Sequence, residues 1–194
     1  DNQKEARRII RTHRATGAGD KPLPLDVAEI VGPDLAFLVD SAIAACQEAK
    51  VEVRAVLHPI VPGPAGKRST IQIHLPRLDD ALLAGLQKRL EETFADVAVV
   101  NADHMAMRAK MQEAHQRLAT LKVTPERSAE EISEGRQFLS WLLDENFTFL
   151  GARDYTFALG DNGQLANEEP IVDEGSGLGI LRDMSRNVLS RAAE

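Results

Sequence analysis

The chain has 194 residues, of which 43% are hydrophobic and 27% charged, and its formal net charge is -7. This acidic balance argues against an extended nucleic-acid surface, because neutralising phosphates requires an excess of Lys and Arg. No apolar run approaches the roughly 20 residues that a membrane-spanning helix needs. We therefore expect a globular protein with neither a nucleic acid nor a membrane as its partner.

A single cysteine, Cys46, excludes an intrachain disulfide and favours a reducing compartment, here the cytoplasm. It lies in an apolar helical pattern without polar neighbours that would activate its thiol, so we interpret it as a small buried hydrophobe. The N-terminus is polar and lacks the apolar core of a secretory signal. The chain also starts without a methionine, and we expect an excised piece or a trimmed product of a longer protein.

Residues 1–24 are predicted to form an N-terminal helix followed by a linker. The helix would cover residues 1–16, and the glycines and prolines of "ATGAGDKPLP" at 15–24 would end it. Positive charge is concentrated at residues 4–14, "KEARRIIRTHR". We interpret this run as a solvated helix face or a frayed terminus, with a local basic binding patch as the alternative.

Residues 25–102 alternate between strand and helix patterns. Strands are predicted at 25–31, 52–61, 69–75 and 97–100, and helices at 78–94 and from 36 or 37 to about 49. This β-α-β-β-α-β order is that of the ferredoxin-like split βαβ arrangement. It predicts an α+β fold, with an antiparallel four-stranded sheet and both helices on one face.

A helical pair is predicted at residues 103–145. Apolar residues repeat in alternating steps of four and three along its first helix: Met107, Met111, Ala114, Leu118 and Leu121. Ser128 is expected to cap the second helix, with Glu131 as its capping-box partner. The short turn between the two helices favours an antiparallel pair.

Residues 146–194 return to a strand pattern and are predicted to form a β-hairpin and a tail, the start of a second β-containing module. The strand "FTFLGARDYTFAL" at 147–159 would turn at "GDNG", 160–163, and pair with "QLANEEPIV" at 164–172. The alternating aromatic residues favour packing in a core shared with Trp141. An aromatic ligand platform is the alternative.

No catalytic centre is predicted from the sequence. Gly175, Gly177 and Gly179 suggest a phosphate-binding loop, but the last glycine of the dinucleotide fingerprint is missing, which favours a flexible turn. His58 and His74 lie in strands predicted to be neighbours, yet no carboxylate ligands accompany them, which favours exposed histidines over a metal pair. We therefore predict no catalytic residue and no metal site.

The turn before the first predicted helix is the candidate ligand site. Free backbone N–H groups and the positive dipole end of a helix N-terminus suit a small carboxylate. Asp34 could instead cap the helix and occupy the same donors with its own side chain. Both interpretations stay open at this point. The candidate residues are Gly32, Asp34, Leu35, Ala36 and Phe37.

Four stretches together resemble a known family. They are "FLVDS" at 37–41, "LHPIV" at 57–61, "FLSWLLDENFTFLGARDY" at 138–155 and "GSGLGILRD" at 175–183. In this order they resemble the N-terminal region of the large, multidomain NAD-specific glutamate dehydrogenases of bacteria. The split βαβ order, with an acidic turn before its first helix, resembles the ACT domains, regulatory modules that commonly bind amino acids at that turn.

The resemblance implies an ACT-like domain at 25–102 and a second ACT-like module that starts within 146–194. The parent would be an oxidoreductase of amino-acid catabolism that converts L-glutamate and NAD to 2-oxoglutarate, ammonium and NADH. Its dehydrogenase core would lie outside this chain, so this segment is expected to be non-catalytic and to hold no cofactor, with NAD serving the parent. The implied role is regulation or oligomer assembly, through self-association or contacts with other parent domains.

A stand-alone amino-acid sensor is the alternative function, with a small amino acid as effector. Amino-acid-binding ACT domains usually have a glycine near the start of the first helix, and alignment on Asp34 puts Phe37 at that position. A bulky side chain there would fill the ligand site. This favours a scaffold, which acts in oligomer assembly, over an amino-acid sensor. The large dehydrogenases also usually have a proline where this chain has Ala36, a difference that would loosen the turn.

Overall fold

The computed structural model describes residues 8–64, 66–125, 127–158 and 170–186. The chain divides into two compact units, Asp1–Ala98 and Val99–Glu194. Each unit has a hydrophobic core of its own.

The first unit is built on an antiparallel sheet, to which the described residues contribute five strands. The strands are β1 (Ile9–Thr16), β2 (Pro22–Pro33), β3 (Ala55–Leu57), β4 (Ile60–Gly63) and β5 (Gly66–Pro76). The sheet order is β1-β2-β5-β3, and β4 also pairs with β5. A short 3₁₀ turn, Ala18–Asp20, lies between β1 and β2. The helices that accompany them are α1 (Leu38–Glu48) and α2 (Asp80–Ala119).

The core of the first unit lies between the sheet and both helices. Ile71, Ile73 and Leu75 alternate along β5 and are completely buried, as the sequence pattern predicts. Central strand β2 is buried over five consecutive residues because it has neighbours on both sides. The helices contribute buried residues to the same cluster: Leu38, Ala42, Ala45 and Cys46 from α1, and Leu86, Leu90, Phe94 and Val97 from α2.

Two predictions for this unit are wrong. Residues 97–100 are helical, and α2 continues through them to Ala119. A short apolar run such as "VAVV" suits a strand or a buried helix equally well, and Val97 and Val100 are buried at helical spacing. The sheet edge is formed instead by β1, where a helix was predicted over 1–16.

The strand predicted at 52–61 is divided into β3 and β4, which both pair with β5. The division falls at His58 and Pro59. Proline has no backbone N–H to donate to a neighbouring strand, which explains the interruption.

The second unit holds the C-terminal part of α2, then α3 (Ala129–Trp141) and a π-helical turn, Leu142–Asn146. Ser128 caps α3 as predicted: Glu131 N donates to Ser128 Oγ at 3.1 Å, and Ser128 N donates to Glu131 Oε2 at 2.8 Å. Two short antiparallel pairs follow, with a 3₁₀ turn at Ile180–Arg182. The strands are β6 (Gly151–Ala152), β7 (Tyr155–Thr156), β8 (Ile171–Val172) and β9 (Leu178–Gly179), with β6 on β9 and β7 on β8.

The aromatic stretch after α3 contributes less to the core than predicted. Phe149 is buried, whereas Phe147 is 54% and Trp141 is 50% exposed. Trp141 stacks on Phe138, with ring centroids 6.3 Å apart, so the predicted core shared with Trp141 is wrong. The return pairing holds where Tyr155 lies opposite Val172, but the predicted turn at 160–163 lies outside the described residues.

Candidate functional site

The candidate turn joins β2 to α1 in the first unit. Gly32 and Pro33 are the last residues of β2, where they pair with Ser69 and Arg68 of β5. Asp34 N donates to the carbonyl of Lys67 at 3.0 Å and fixes the turn to the same strand. The five candidate residues therefore form a continuous turn at one end of the sheet.

Helix α1 begins without a capping side chain. Its N-cap is Phe37, in the left-handed conformation with φ 69° and ψ 11°, and the Phe37 side chain makes no capping hydrogen bond. The interpretation that Asp34 caps the helix is wrong, because Asp34 lies three residues before the N-cap. The N-cap residue therefore does not occupy the amides at the start of α1, which are the donors that a carboxylate would need.

Phe37 combines a glycine-like backbone with a large side chain. A positive φ of this kind costs an L-residue about 1–2 kcal/mol, which glycine avoids. This agrees with the resemblance, which puts glycine at this position. The Phe37 side chain is 40% exposed.

Arg8 covers the other side of the turn. It lies immediately before β1, and a Cβ built on Gly32 would lie 3.0 Å from Arg8 Nε. Arg8 Nη2 donates to the carbonyl of Pro33 at 3.0 Å, and its guanidinium carbon is 4.9 Å from the centroid of the Phe94 ring. Sequence reasoning missed this contact, because the contact depends on β1 being a strand.

Two arginines of the basic N-terminal run, Arg11 and Arg14, pair with acidic residues of the sheet and of α2. Arg11 pairs with Glu29, directly opposite it on β2. Arg14 donates to the fully buried Asp26 at 2.5 Å and also pairs with Asp80. The interpretation of this run as a solvated helix face is therefore wrong over β1.

The glycine-rich segment of the second unit binds a carboxylate of the chain itself. Asp103 is buried, and its Oδ2 accepts from Gly179 N at 2.7 Å and from Arg182 Nε at 2.6 Å, while its Oδ1 accepts from Arg182 Nη2 at 2.6 Å. These hydrogen bonds, with Arg182 first, lower the pKa of Asp103 to about 2. The Gly179 amide that a phosphate would use is already bonded to this carboxylate.

These glycines allow two backbone segments to approach closely. A Cβ on Gly179 would lie 2.2 Å from the carbonyl oxygen of Leu150, and one on Gly177 would lie 2.4 Å from that of Leu181. No side chain fits at such distances. The segment is therefore closely packed, and its interpretation as a flexible turn is wrong at these two positions.

Arg153 joins two of the four stretches that carry the family resemblance. Its guanidinium donates to the carbonyls of Leu181 at 2.6 Å, Asp183 at 2.8 Å and Arg186 at 3.0 Å. The stretches at 138–155 and 175–183 thus form one hydrogen-bonded structure in the second unit. Neither this cluster nor the Asp103 pair was predicted, because residues up to 79 positions apart leave no periodic signal.

His58 and His74 lie at different positions along the sheet, and Cys46 is buried. His58 Nε2 lies 2.7 Å from Ser69 Oγ, while His74 lies opposite Ala55, so the two histidines do not form a pair. Among the described residues, no group of three or more His, Cys, Asp or Glu side chains could hold a metal ion. Burial raises the pKa of the Cys46 thiol to about 11, which leaves it protonated near neutral pH.

Comparison with known families decides the relationship. Residues 2–118 match the family described as the glutamate dehydrogenase ACT1 domain, which is more than half of the chain. The chain belongs to this family. The ACT1 domain match includes β1, over which a helix was predicted. It also extends along α2 beyond residue 102, the predicted end of the domain.

This chain is similar to the NAD-specific glutamate dehydrogenase of Pseudomonas aeruginosa (strain PAO1). The two are 36% identical over 177 residues, which cover 79% of this chain and 10% of the relative. This chain thus spans about one tenth of the length of the enzyme it matches. In the part of the chain that the structure describes, no helix is long and apolar enough to cross a membrane.

Proposed function

We propose that this chain is a non-catalytic, N-terminal segment of a large NAD-dependent glutamate dehydrogenase, and that it serves the assembly and regulation of that enzyme. Membership of the glutamate dehydrogenase ACT1 domain family carries the proposal. The relative that is 36% identical supports the same parent, and its greater length leaves room for the dehydrogenase core elsewhere in the polypeptide. NAD would serve that core.

We propose that β1 takes the place of the fourth ACT-like strand. Supporting this, β1 pairs with β2 on the side opposite to β5, in an entirely antiparallel sheet. The split βαβ arrangement would then be kept in space while one edge strand is supplied from the N-terminus.

The two residues that fill the turn favour a scaffold over an amino-acid sensor. Arg8 covers Gly32, and Phe37 places a ring where the resemblance implies glycine. The sensor remains the second candidate, because the first-turn amides of α1 have no capping side chain. Titration of the ¹⁵N-labelled chain with the twenty amino acids separates the two: the scaffold predicts no saturable shifts of amide signals at this turn at millimolar ligand.

The absence of catalysis is tested with the purified chain, L-glutamate and NAD. We expect no formation of NADH in the absorbance assay, while the full-length enzyme under the same conditions gives turnover. Measurable turnover by the 194-residue chain alone would contradict the proposal.

The assembly role is tested by sedimentation velocity over a wide range of concentrations. We expect the chain to self-associate, or to bind a separately expressed remainder of the parent enzyme. A strict monomer that also fails to bind the remainder would count against assembly.

A further inference from the structure

A groove of about 770 Å³ runs between β1 and α2 in the first unit. We call it the edge groove, because β1 is the edge strand of the sheet. Its size lies in the range of small-molecule sites, and most of its lining is apolar. The lining residues are Arg8, Ile9, Ile10, Glu91, Phe94, Ala95 and Ala98.

Arg8 brings an incompletely bonded cation to this groove. Its Nη2 donates to the carbonyl of Pro33, but its Nη1 is buried and has no acceptor among the described residues. A charged donor that is removed from water without an acceptor costs free energy. Burial accordingly lowers the pKa of Arg8.

The positive charge of Arg8 restricts the kind of ligand that would bind to it. A carboxylate is the planar acceptor that best matches a guanidinium, and it would also neutralise the charge. Glu91 is the acidic residue of the lining, and its carboxylate accepts from Gln87 Nε2 at 3.1 Å. A second negative charge on the ligand would be repelled by Glu91, which favours a monocarboxylate.

We propose that the edge groove binds a small monocarboxylate with an apolar body. Arg8 holds the carboxylate through its guanidinium, which lines the groove and carries the positive charge, and the apolar body packs on Ile10, Phe94 and Ala98. Arg8 also contacts the turn before α1, but the other lining residues of the site come from β1 and α2, so the two sites differ. It does not depend on the proposed role in a dehydrogenase, since every residue of the site belongs to the first unit.

The probe is 4-methylpentanoate, titrated into the ¹⁵N-labelled chain. We expect saturable shifts of the amide signals of Ile10, Phe94 and Ala98, with a Kd in the millimolar range. Two matched compounds define the chemistry: 4-methylpentanamide lacks the charge, and glutarate carries a second carboxylate. Each should bind about tenfold more weakly, because a hydrogen bond to a charged group contributes at least the 1.4 kcal/mol of a tenfold change.

Variants of two neighbouring arginines and of one helical residue provide the controls. Arg8→Met keeps the length of the side chain and removes the charge, and should weaken binding about tenfold or more. Arg11→Met removes a charge that pairs with Glu29 outside the groove and should leave binding unchanged. Ala98→Leu, at an exposed helical position, should narrow the groove and also weaken binding.

Several results would overturn the proposal. They are the absence of saturable shifts in the wild-type chain, equal binding of the amide, or equal binding by the Arg8→Met variant. Should Arg8→Met lose the dispersed spectrum of a folded protein, Ala98→Leu decides. Undiminished binding by a folded Ala98→Leu chain would then reject the edge groove as the site.

Discussion

Single polar residues in both units bind distant backbone segments together. In the first unit, the buried carboxylate of Asp26 accepts from Arg14 and from Leu78 N, and so fixes the start of α2 to the sheet. In the second unit, Asp103 and Arg153 bind the glycine-rich segment and the residues that follow it. These residues stabilise the fold because they bond to buried polar groups, and a buried polar group without a hydrogen-bond partner raises the free energy of the folded state.

Replacement of Asp103 by Asn should destabilise the second unit by about 2 kcal/mol, because charge-assisted hydrogen bonds to Gly179 and Arg182 are lost. Urea unfolding followed by the fluorescence of Trp141 measures this. Asp154→Asn is the matched control, since it removes an exposed pair with Lys110 and should cost less than about 1 kcal/mol. Equal effects of the two changes would contradict the structural role of Asp103.

The same carboxylate predicts a pH dependence. The folded pKa of Asp103, about 2, lies below its ordinary value of 3.8. Its contribution to the free energy of unfolding is therefore complete above the ordinary pKa and is lost as the pH falls from about 4 towards 2. Wild-type stability should decline more steeply over this window than that of Asp103→Asn.

Phe37 allows the cost of a positive φ to be measured. Phe37→Gly and Phe37→Ala both remove the ring, but only alanine keeps a Cβ in the left-handed conformation. The glycine variant should be more stable than the alanine variant by about 1 kcal/mol, whereas glycine is normally the weaker residue. A more stable alanine variant would show that the turn adopts another conformation in solution.

Gly179 and Gly175 separate close approach from backbone freedom. Both have a positive φ, but a Cβ would meet the Leu150 carbonyl only at Gly179, and nothing lies within 4 Å at Gly175. Gly179→Ala should cost about 3 kcal/mol and Gly175→Ala about 1 kcal/mol in urea unfolding. Similar costs would indicate that the two segments do not pack as closely as described.

Among the elements, α2 shows how far periodicity predicts packing. Its leucine stripe was recognised from the sequence, yet Leu90 is completely buried and Leu82 is 37% exposed. Leu90→Ala should therefore cost about 2–5 kcal/mol, because it leaves a cavity. Leu82→Ala in the same helix should cost about 1 kcal/mol. Comparable values would place the stripe differently against the sheet.

The two misassigned elements have a common cause. A strand at 97–100 and a helix at 1–16 were each plausible locally, and a short apolar run or a basic run does not select one structure. In the fold, Val97 and Val100 are buried residues of helix α2. The basic residues Arg11 and Arg14 lie in strand β1, where the acidic residues Glu29 and Asp26 of β2 lie opposite them. The residues that favour a strand over a helix at 9–16 therefore lie in β2, and not in the segment itself.

For the whole first unit, β1 should be indispensable. A chain that starts at residue 25, the predicted domain boundary, lacks β1 and leaves the buried Asp26 without Arg14. We expect it to lose at least about 3 kcal/mol or to fail to fold, because a buried charge loses its main partner. Circular dichroism and urea unfolding against a chain that starts at residue 8 provide the comparison. Equal stability would show that β1 is an accessory strand.

The sequence by itself determined the family, the central strands β2 and β5, and the existence of α1 and α2. These follow from local periodicity and from a set of motifs whose order is specific. The tertiary structure decided which strand closes the sheet, that Asp34 is not the cap of α1, and that Arg8 covers the candidate turn. It also made the glycine-rich segment a site for Asp103. These features depend on residues that are far apart in the chain, and their contacts exist only once the backbone segments are paired.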